Sequence, residues 1–241
     1  MPSWGQVGAK ENLWTNSVRG GTHEWGARVL KSHVLAEDRL RATLARLRPR
    51  SVRHQDELRY AAVATVIRYR GSKDPEVLLI RRSEHPDDPW SGHMAFPGGR
   101  REPTDPSLHH TAVRETAEEV GVDLGREAEP LGRLHDVEAI AKAKRIGLII
   151  APYVFLLRGE VTFEVDRSEV AEALWAPLRP MAEGALDAPF PYVYEGRELS
   201  LPSYRLDEHR IVWGLTHRML AMLFDELRSP LDRQDVVPTG T

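Results

Sequence analysis

A well-delimited helical segment set among strand-like runs constrains the fold of this chain most. The segment runs from Pro106 to Val120. Asp105 is placed to cap its N-terminus, because Asp is a favoured N-cap residue and proline suits the first helical position. Gly121 follows as the residue type that commonly ends a helix. The apolar side of the predicted helix is formed by Leu108, Ala112, Val113, Ala117 and Val120.

The patterns around this helix indicate strands before and after it. Ala61–Tyr69 and Val77–Arg81 are strand-like and flank a Gly-Ser-Lys-Asp-Pro turn, which predicts a hairpin. Ile146–Leu157 is typical of a buried strand. Ser168–Trp175 is predicted as a short helix and Trp213–Leu227 as a longer one. The order of elements predicts one α+β domain of about 170 residues.

We expect this domain to span residues 56–230, after an N-terminal extension (1–55) and before a flexible tail (231–241). Residues 1–34 have no sustained periodicity and are predicted to be poorly ordered. Glu37–Leu47 carries leucines at helical spacing between arginines. This pattern predicts an amphipathic helix packed on the domain surface, and docking of the basic helix on an anionic partner is the alternative.

Composition excludes several classes of site and partner. The chain has no cysteine, which excludes disulfides, thiolate metal sites and cysteine nucleophiles. Its 33 Lys+Arg against 36 Asp+Glu give a net charge of -3, which makes nucleic acid an unfavoured partner. The N-terminus lacks a secretory pattern, and no apolar run is long enough to span a bilayer. We therefore expect a cytoplasmic protein without a membrane partner.

The predicted helix carries three crowded carboxylates. Glu115 shares a face with Glu118 and Glu119, because residues three and four apart are neighbours on a helix. Like charges at this spacing repel, and a hard divalent cation with oxygen ligands would relieve the repulsion. Arg114 lies four residues before Glu118 and is placed to orient its carboxylate.

A glycine pair precedes the carboxylates. Gly98 and Gly99 allow a close backbone approach and offer a carbonyl oxygen as a further ligand. A diphosphate bound to such cations would have its charge neutralised, and an attacking water would be activated. Charged runs are also common on solvated helix faces, so the glutamates alone do not define a site. The glycine pair at its fixed distance favours the metal site.

The segment from Gly99 to Val122 resembles the Nudix box, G-x5-E-x7-R-E-U-x-E-E-x-G-U, in which U is apolar. Three features depart from it. Asp105 stands at the first Glu, the spacing from there to Arg114 is one residue longer, and Thr116 occupies an apolar position. The matching positions are Gly99, Arg114, Glu115, Glu118, Glu119, Gly121 and Val122.

The resemblance implies an α/β/α sandwich with a mixed central sheet, and an enzyme that uses Mg²⁺ or Mn²⁺. The implied reaction is hydrolysis of the diphosphate bond in a nucleoside diphosphate linked to another moiety. The metal would be bound by Gly98, Gly99, Glu115, Glu118 and Glu119, and the catalytic set would be Arg114, Glu115, Glu118 and Glu119.

The longer spacing and the preceding Phe96-Pro97-Gly98-Gly99 are similar to the coenzyme A pyrophosphatase-like branch. This similarity implies coenzyme A or a derivative as substrate. An acidic loop, residues 84–88, stands where the branch has an arginine. The predicted substrate contacts are Arg82, whose guanidinium suits phosphate, together with Arg100 and Phe96.

The general base is left open between a box glutamate and an acid outside the box. Glu169 and Glu172 on the predicted short helix are the outside candidates, and a solvated helix face is the alternative. His109 and His110 are expected at the surface rather than on a metal, because carboxylates already suit a hard cation.

Three tryptophans have simpler assignments. Trp90 either stacks on a nucleobase or closes its loop onto the core. Trp175 and Trp213 are predicted core residues.

Two other functions compete with hydrolysis of a nucleotide-containing small molecule. A catalytically silent Nudix domain could act as a nucleotide sensor, although no box glutamate is lost here. RNA binding or decapping would require a basic groove, which the net charge of -3 disfavours. The oligomeric state is left open, with a homodimer as one candidate.

Overall fold

The computed structural model describes residues 34–51, 59–70, 74–85, 90–141, 144–194 and 196–230. The helices are α1 (Glu37–Arg46), α2 (Leu108–Val120), α3 (Leu124–Glu127), α4 (Leu178–Ala182) and α5 (Gly214–Arg228). The strands are β1 (Arg59–Tyr69), β2 (Pro75–Arg82), β3 (Met94–Ala95), β4 (Gly98–Arg100), β5 (Ala128–Arg133), β6 (Val137–Ala141), β7 (Lys144–Leu157), β8 (Val170–Pro177), β9 (Asp187–Tyr194), β10 (Arg197–Arg205) and β11 (Ile211–Trp213).

Eight of these strands form a mixed sheet. Its main path runs β3-β2-β1-β7-β5, while β4, β6 and β8 pair with β1, β7 and β2, respectively. β1 and β7 are parallel, and the other pairs are antiparallel. The pairing of β1 with β2 confirms the predicted hairpin, and β7 contains the predicted buried strand. A second sheet of three strands has the order β11-β10-β9.

Helices cover both faces of the large sheet. Alternate residues of a strand point to opposite faces, and neighbouring β2 residues accordingly enter different cores. Leu79 packs in the core that also contains the buried side of α5, whereas Leu78 packs in the core beneath α2. α1 joins α5 on the first face through Leu40 and Leu44. This arrangement confirms the α+β sandwich with a mixed central sheet.

Two arginines of the basic helix α1 have their partners within the domain. Arg39 donates to the carbonyls of Leu227 and Ser229 at the end of α5, at 2.7 and 3.0 Å. Arg41 pairs with Glu129 at 2.6 Å. These contacts support the predicted packing of this helix on the domain surface over docking on an anionic partner.

The short helix predicted at Ser168–Trp175 is wrong, because residues 170–177 form strand β8. β8 pairs with β2 along seven register positions. Cross-strand pairing of this kind overrides weak local helix propensity. Trp213 ends β11 immediately before α5 and therefore does not belong to the predicted C-terminal helix.

Several predictions concern segments outside the described residues. These include the order of residues 1–33, the flexibility of the tail at 231–241, and residues 71–73 of the hairpin turn. The domain limits at 56 and 230 stay a prediction. In the part of the chain that is described, no helix combines the length and apolar character needed to cross a membrane.

Candidate active site

The N-terminus of α2 is built differently from the prediction. The helix begins at Leu108, and the Ser107 hydroxyl accepts a hydrogen bond from the His110 backbone N–H at 3.1 Å. Ser107 is therefore the N-cap, and the assignment of this role to Asp105 is wrong. At the other end, Gly121 has φ 74° and ends the helix as predicted.

Asp105 instead anchors an ion-pair network. Its side chain is 1% exposed and accepts two bonds from Arg114, from Nε at 3.0 Å and Nη2 at 2.9 Å. This guanidinium holds the Asp105 pKa well below its usual range. Arg114 also contacts Glu118 at 2.8 Å and Glu115 at 3.0 Å. Arg114 thus contacts Glu118 as the helical spacing predicts, and Asp105 fixes the arginine.

The glycine pair gives the backbone space beside β1 and beside the helix. A Cβ on Gly98 would lie 2.3 Å from the Ala62 carbonyl oxygen, and φ there is 144°. A Cβ on Gly99 would lie 2.5 Å from the carboxyl group of Glu115. At Gly98 the backbone of β1 and the positive φ require glycine, whereas a side chain at Gly99 would displace the carboxyl group of Glu115 from its present position. A carbonyl ligand from this pair stays a proposal.

Glu119 and Glu115 are turned toward this glycine pair. Glu119 is 1% exposed, and its carboxylate accepts the Gly98 N–H at 2.8 Å. Burial raises the pKa of Glu119 to about 8, although Gly98 and Arg82 oppose this effect. Burial also raises the pKa of Glu115, against the effect of Arg114. The fold therefore holds two carboxyl groups where their negative charges are poorly compensated.

Glu118 lies apart from this inward pair. Its side chain is 58% exposed and contacts Arg114. Across the described ranges, no group of three His, Asp or Glu side chains is already arranged to hold a metal ion. The donor chemistry nevertheless fits a hard divalent cation, because carboxylate oxygens predominate and burial raises the pKa of Glu115 and Glu119 despite the neighbouring Arg114 and Arg82.

The two outside acids differ in their surroundings. Glu169 lies just before β8, and its charge raises the pKa of both Glu115 and Glu119. Glu172 lies on β8 and binds Arg210 through both carboxylate oxygens, which lowers its pKa. Glu169 is therefore the outside acid that shares the electrostatic environment of the box carboxylates.

The predicted substrate contacts have different positions. Arg82 Nη1 lies 3.9 Å from Glu119 Oε1, beside the candidate site. Arg100 is exposed, and its carbonyl accepts a hydrogen bond from Arg114 at 3.2 Å. Phe96 is 2% exposed and packs in the core, a placement that does not fit the predicted contact with substrate.

Aromatic rings and histidines surround the site without forming it. His109 packs its ring against Tyr153 and Phe155, with centroids 5.4 Å apart in both pairs. His110 is 51% exposed and contacts Asp105 at 3.1 Å. Trp90 is partly buried against the core, which favours its loop-closing assignment.

The predicted core tryptophans are both half-buried. Trp175 lies beneath the Arg68 guanidinium, 4.1 Å from the ring centroid. Trp213 stacks on Phe190 with centroids 4.3 Å apart.

Sequence reasoning missed a cleft on the opposite face of β2, with a volume of about 570 Å³. Its lining is mostly polar and comes from β2 and the loop after it, from β8, and from the turn before β11, namely Arg81, Glu84, Gly92, Glu172, Glu208, His209 and Arg210. The pairing of Glu172 with Arg210 joins residues 38 positions apart, and no local sequence signal indicates it.

Comparison with known proteins gives a consistent family. The model of the NUDIX domain matches residues 59–194. An uncharacterized protein of Schizosaccharomyces pombe is 39% identical over 137 residues, which cover 50% of this chain and 42% of that protein. The peroxisomal coenzyme A diphosphatase ndx-8 of Caenorhabditis elegans is 32% identical over 164 residues, which cover 66% of this chain and 64% of that protein. The chain thus spans less than two thirds of the length of either relative.

A solved structure is also similar. The MutT/nudix family protein from Enterococcus faecalis matches with a TM-score of 0.49 and 19% identity, over 73% of this chain and 64% of that one.

Proposed function

Because the chain belongs to the Nudix family, we propose that it is a metal-dependent hydrolase of a nucleoside diphosphate linked to another moiety. The leading substrate is coenzyme A or a derivative. The extended box with its preceding Phe96-Pro97-Gly98-Gly99 supports this choice, as does the similarity to a relative named as a coenzyme A diphosphatase.

The observation that carries the proposal is the pair of inward carboxyl groups on α2. Glu115 and Glu119 face the glycine pair from one side of the helix, and the charge of Glu169 acts on both. Clustered acids with raised pKa values beside close-approaching backbone are typical of functional sites. A purely structural helix face would instead expose its glutamates, as Glu118 is exposed, whereas the side chains of Glu115 and Glu119 are 14% and 1% exposed.

Glu115, Glu118 and Glu119 would hold Mg²⁺ or Mn²⁺, and the Gly98–Gly99 backbone offers carbonyl oxygens beside them. When bound, the metal would neutralise charge on the diphosphate and lower the pKa of an attacking water. Glu118 would first have to exchange part of its contact with Arg114, because its carboxylate is otherwise turned to that arginine.

The remaining chemistry is assigned to residues of the chain around these carboxylates. Arg82 would contact a phosphate oxygen, because its guanidinium lies at the rim of the site and offers several donors. Arg114, fixed by Asp105, would orient Glu118 and Glu115. Glu169 is the proposed acid outside the box, and it would accept the proton of the attacking water.

The test is product release from coenzyme A, ADP-ribose, NADH, nucleotide sugars, diadenosine polyphosphates and nucleoside triphosphates, with Mg²⁺ or Mn²⁺. Mass spectrometry identifies the products, and Glu118→Gln serves as the inactive control. Coenzyme A or a derivative should yield a nucleoside monophosphate and a phosphorylated remainder, and the variant should lose this activity.

Other outcomes would replace the proposal. Cleavage of a different compound class would keep the hydrolase and change its substrate. Tight binding without cleavage across the set would favour a sensor domain instead.

A further inference from the structure

The segment Glu164–Glu169, which we name the strap, is tied to the end of the box helix. The Glu164 N–H donates to the Val120 carbonyl at 2.9 Å, and the Asp166 N–H donates to the Glu119 carbonyl at 3.0 Å. These two carbonyls lie in the last turn of α2, where no partner within the helix is available. The strap therefore takes its position directly from the backbone that carries Glu119.

Gly121 makes this close approach feasible. A Cβ on Gly121 would lie 2.7 Å from the Glu164 Cβ and 3.2 Å from its backbone N. The glycine therefore has two roles, since it adopts the left-handed conformation that ends the helix and leaves room for the strap.

Asp166 forms the turn that leads from the strap into β8. Its Oδ1 accepts the Ser168 N–H at 2.8 Å and the Ser168 hydroxyl at 2.7 Å. Its carbonyl accepts the N–H groups of Glu169 at 3.1 Å and of Val170 at 2.8 Å. Asp166 thus accepts hydrogen bonds from three consecutive backbone N–H groups, those of Ser168, Glu169 and Val170.

The far side of the same turn is held by the end of β2. The Ser83 N–H donates to the Glu169 carbonyl at 2.8 Å, and the Ser83 hydroxyl donates to the Arg167 carbonyl at 3.2 Å. Ser83 follows Arg82, which approaches Glu119. The backbone of Glu169 is therefore held at its N–H by Asp166 and at its carbonyl by Ser83, which follows the strand that carries Arg82.

We propose that Asp166 is a positioning residue, which holds Glu169 at the box carboxylates through the turn at residues 166–169. This inference rests on the proposed hydrolase function and on the role of Glu169 in it. Asp166 acts only through the backbone and Ser168, and it needs no contact with substrate. Partners that orient a functional side chain in this way commonly affect activity 10–100-fold.

The experiment is a double-mutant cycle in the full chain with the substrate that the wild-type protein cleaves. Glu169→Gln should lower kcat at least about 10²-fold, as expected for loss of a general base. Asp166→Ala should lower kcat about 10–100-fold with little change in KM. The double variant should be no slower than Glu169→Gln, because both changes remove the same function.

Three further variants separate positioning from general stability. Asp166→Asn keeps a side-chain oxygen for the Ser168 N–H and should recover most of the activity. Asp123→Ala is the matched control, because Asp123 also accepts a backbone N–H two residues ahead, from Gly125 at 3.0 Å, and it caps the separate helix α3. Ser168→Ala should resemble Asp166→Asn, since the backbone bond remains.

A readout independent of turnover is Mn²⁺ binding by electron paramagnetic resonance. Glu169 is not a proposed metal ligand, but its negative charge acts on Glu115 and Glu119 and should favour a bound cation. Asp166→Ala and Glu169→Gln should therefore weaken Mn²⁺ binding to a similar degree, and Asp123→Ala should leave it unchanged. Additive losses of kcat, or wild-type activity in Glu169→Gln, would overturn the inference and leave the hydrolase intact. Absence of turnover in the wild type would reject the proposed function, and equal Mn²⁺ affinity in all variants would then reject the positioning role as well.

Discussion

The two faces of β2 shift the pKa values of neighbouring acidic side chains in opposite directions. On the face toward α2, Glu119 is buried with Arg82 at 3.9 Å, and its pKa is raised to about 8. On the other face, Glu172 binds Arg210 and lies 3.8 Å from Arg81, and its pKa is lowered. The neighbouring arginines of β2 therefore lie beside two different kinds of carboxyl group. Arg82 approaches Glu119, whose negative charge is poorly compensated, and Arg81 approaches Glu172, whose charge is compensated by Arg210.

We infer that this difference separates the candidate site from a structural contact. Glu172 gains stability from its charge, because arginine donors satisfy both of its oxygens. Glu119 is costly to ionise in place, so the fold does not benefit from its charge. A carboxyl group kept in such a position is therefore best explained by a ligand that the fold alone does not supply.

The largest expected effect is on turnover in Glu119→Gln. The amide keeps an oxygen for the Gly98 N–H but cannot supply a carboxylate, so activity should fall about 10²–10⁴-fold. The thermal midpoint should stay the same or rise, because a buried group with a raised pKa is replaced by a neutral one. Steady-state kinetics and calorimetry measure the two effects.

Glu118→Gln is the companion variant on the exposed side of the same helix. It should also lose most metal-dependent turnover while the fold remains intact. Near wild-type rates in both variants would remove α2 from the mechanism and leave the contrast between the two faces of β2 without functional meaning.

The next effect concerns the network that fixes Arg114. Asp105→Ala leaves this guanidinium without its buried partner and should lower the free energy of unfolding by about 3 kcal/mol. Turnover should fall as well, because Arg114 orients Glu118 and Glu115. Urea denaturation measures the stability, and an unchanged midpoint would show that Asp105 does not anchor the network.

Local sequence patterns predicted the elements whose determinants are close together in the chain. The box helix and the hairpin of β1 and β2 are confirmed, since helical spacing and turn residues define them over a few positions. The helix predicted at Ser168–Trp175 is wrong because this segment pairs with β2, about 95 residues earlier in the chain. Strand pairing with so distant a segment cannot be inferred from the local hydrophobic pattern.

The residues of the candidate site also differ in whether local sequence or distant packing determines their role. Glu115, Glu118, Glu119 and Arg114 follow from spacing on one helix. Arg114 contacts Glu115 and Glu118, whereas Glu119 is buried beside Gly98. The role of Asp105 depends on an arginine nine residues ahead, and a local capping rule therefore assigned it incorrectly. The burial of Phe96 and the distinction between Glu169 and Glu172 depend on packing between distant strands.

A smaller effect is expected for a substitution on the other face of β2, where Glu172 pairs with Arg210. Glu172→Gln should leave turnover within about twofold of the wild type, because Glu172 is committed to Arg210. The thermal midpoint should fall by about 1–3 °C, as expected for a partly exposed ion pair. A loss of turnover comparable to that of Glu119→Gln would place Glu172 in the active site and reverse the distinction between the faces.

The smallest effect on activity is expected at His109, which lies on the box helix but packs against Tyr153 and Phe155. His109→Ala should change turnover less than about twofold and cost about 1 kcal/mol of stability through the lost ring contacts.

Burial lowers the pKa of His109, so the unfolded chain binds its proton first as the pH falls through about 6.5. The wild-type protein should therefore lose stability relative to His109→Phe between about pH 7 and pH 5.5, which thermal unfolding at several pH values measures. A collapse of turnover in His109→Ala would instead show that this side of α2 also contributes to the chemistry.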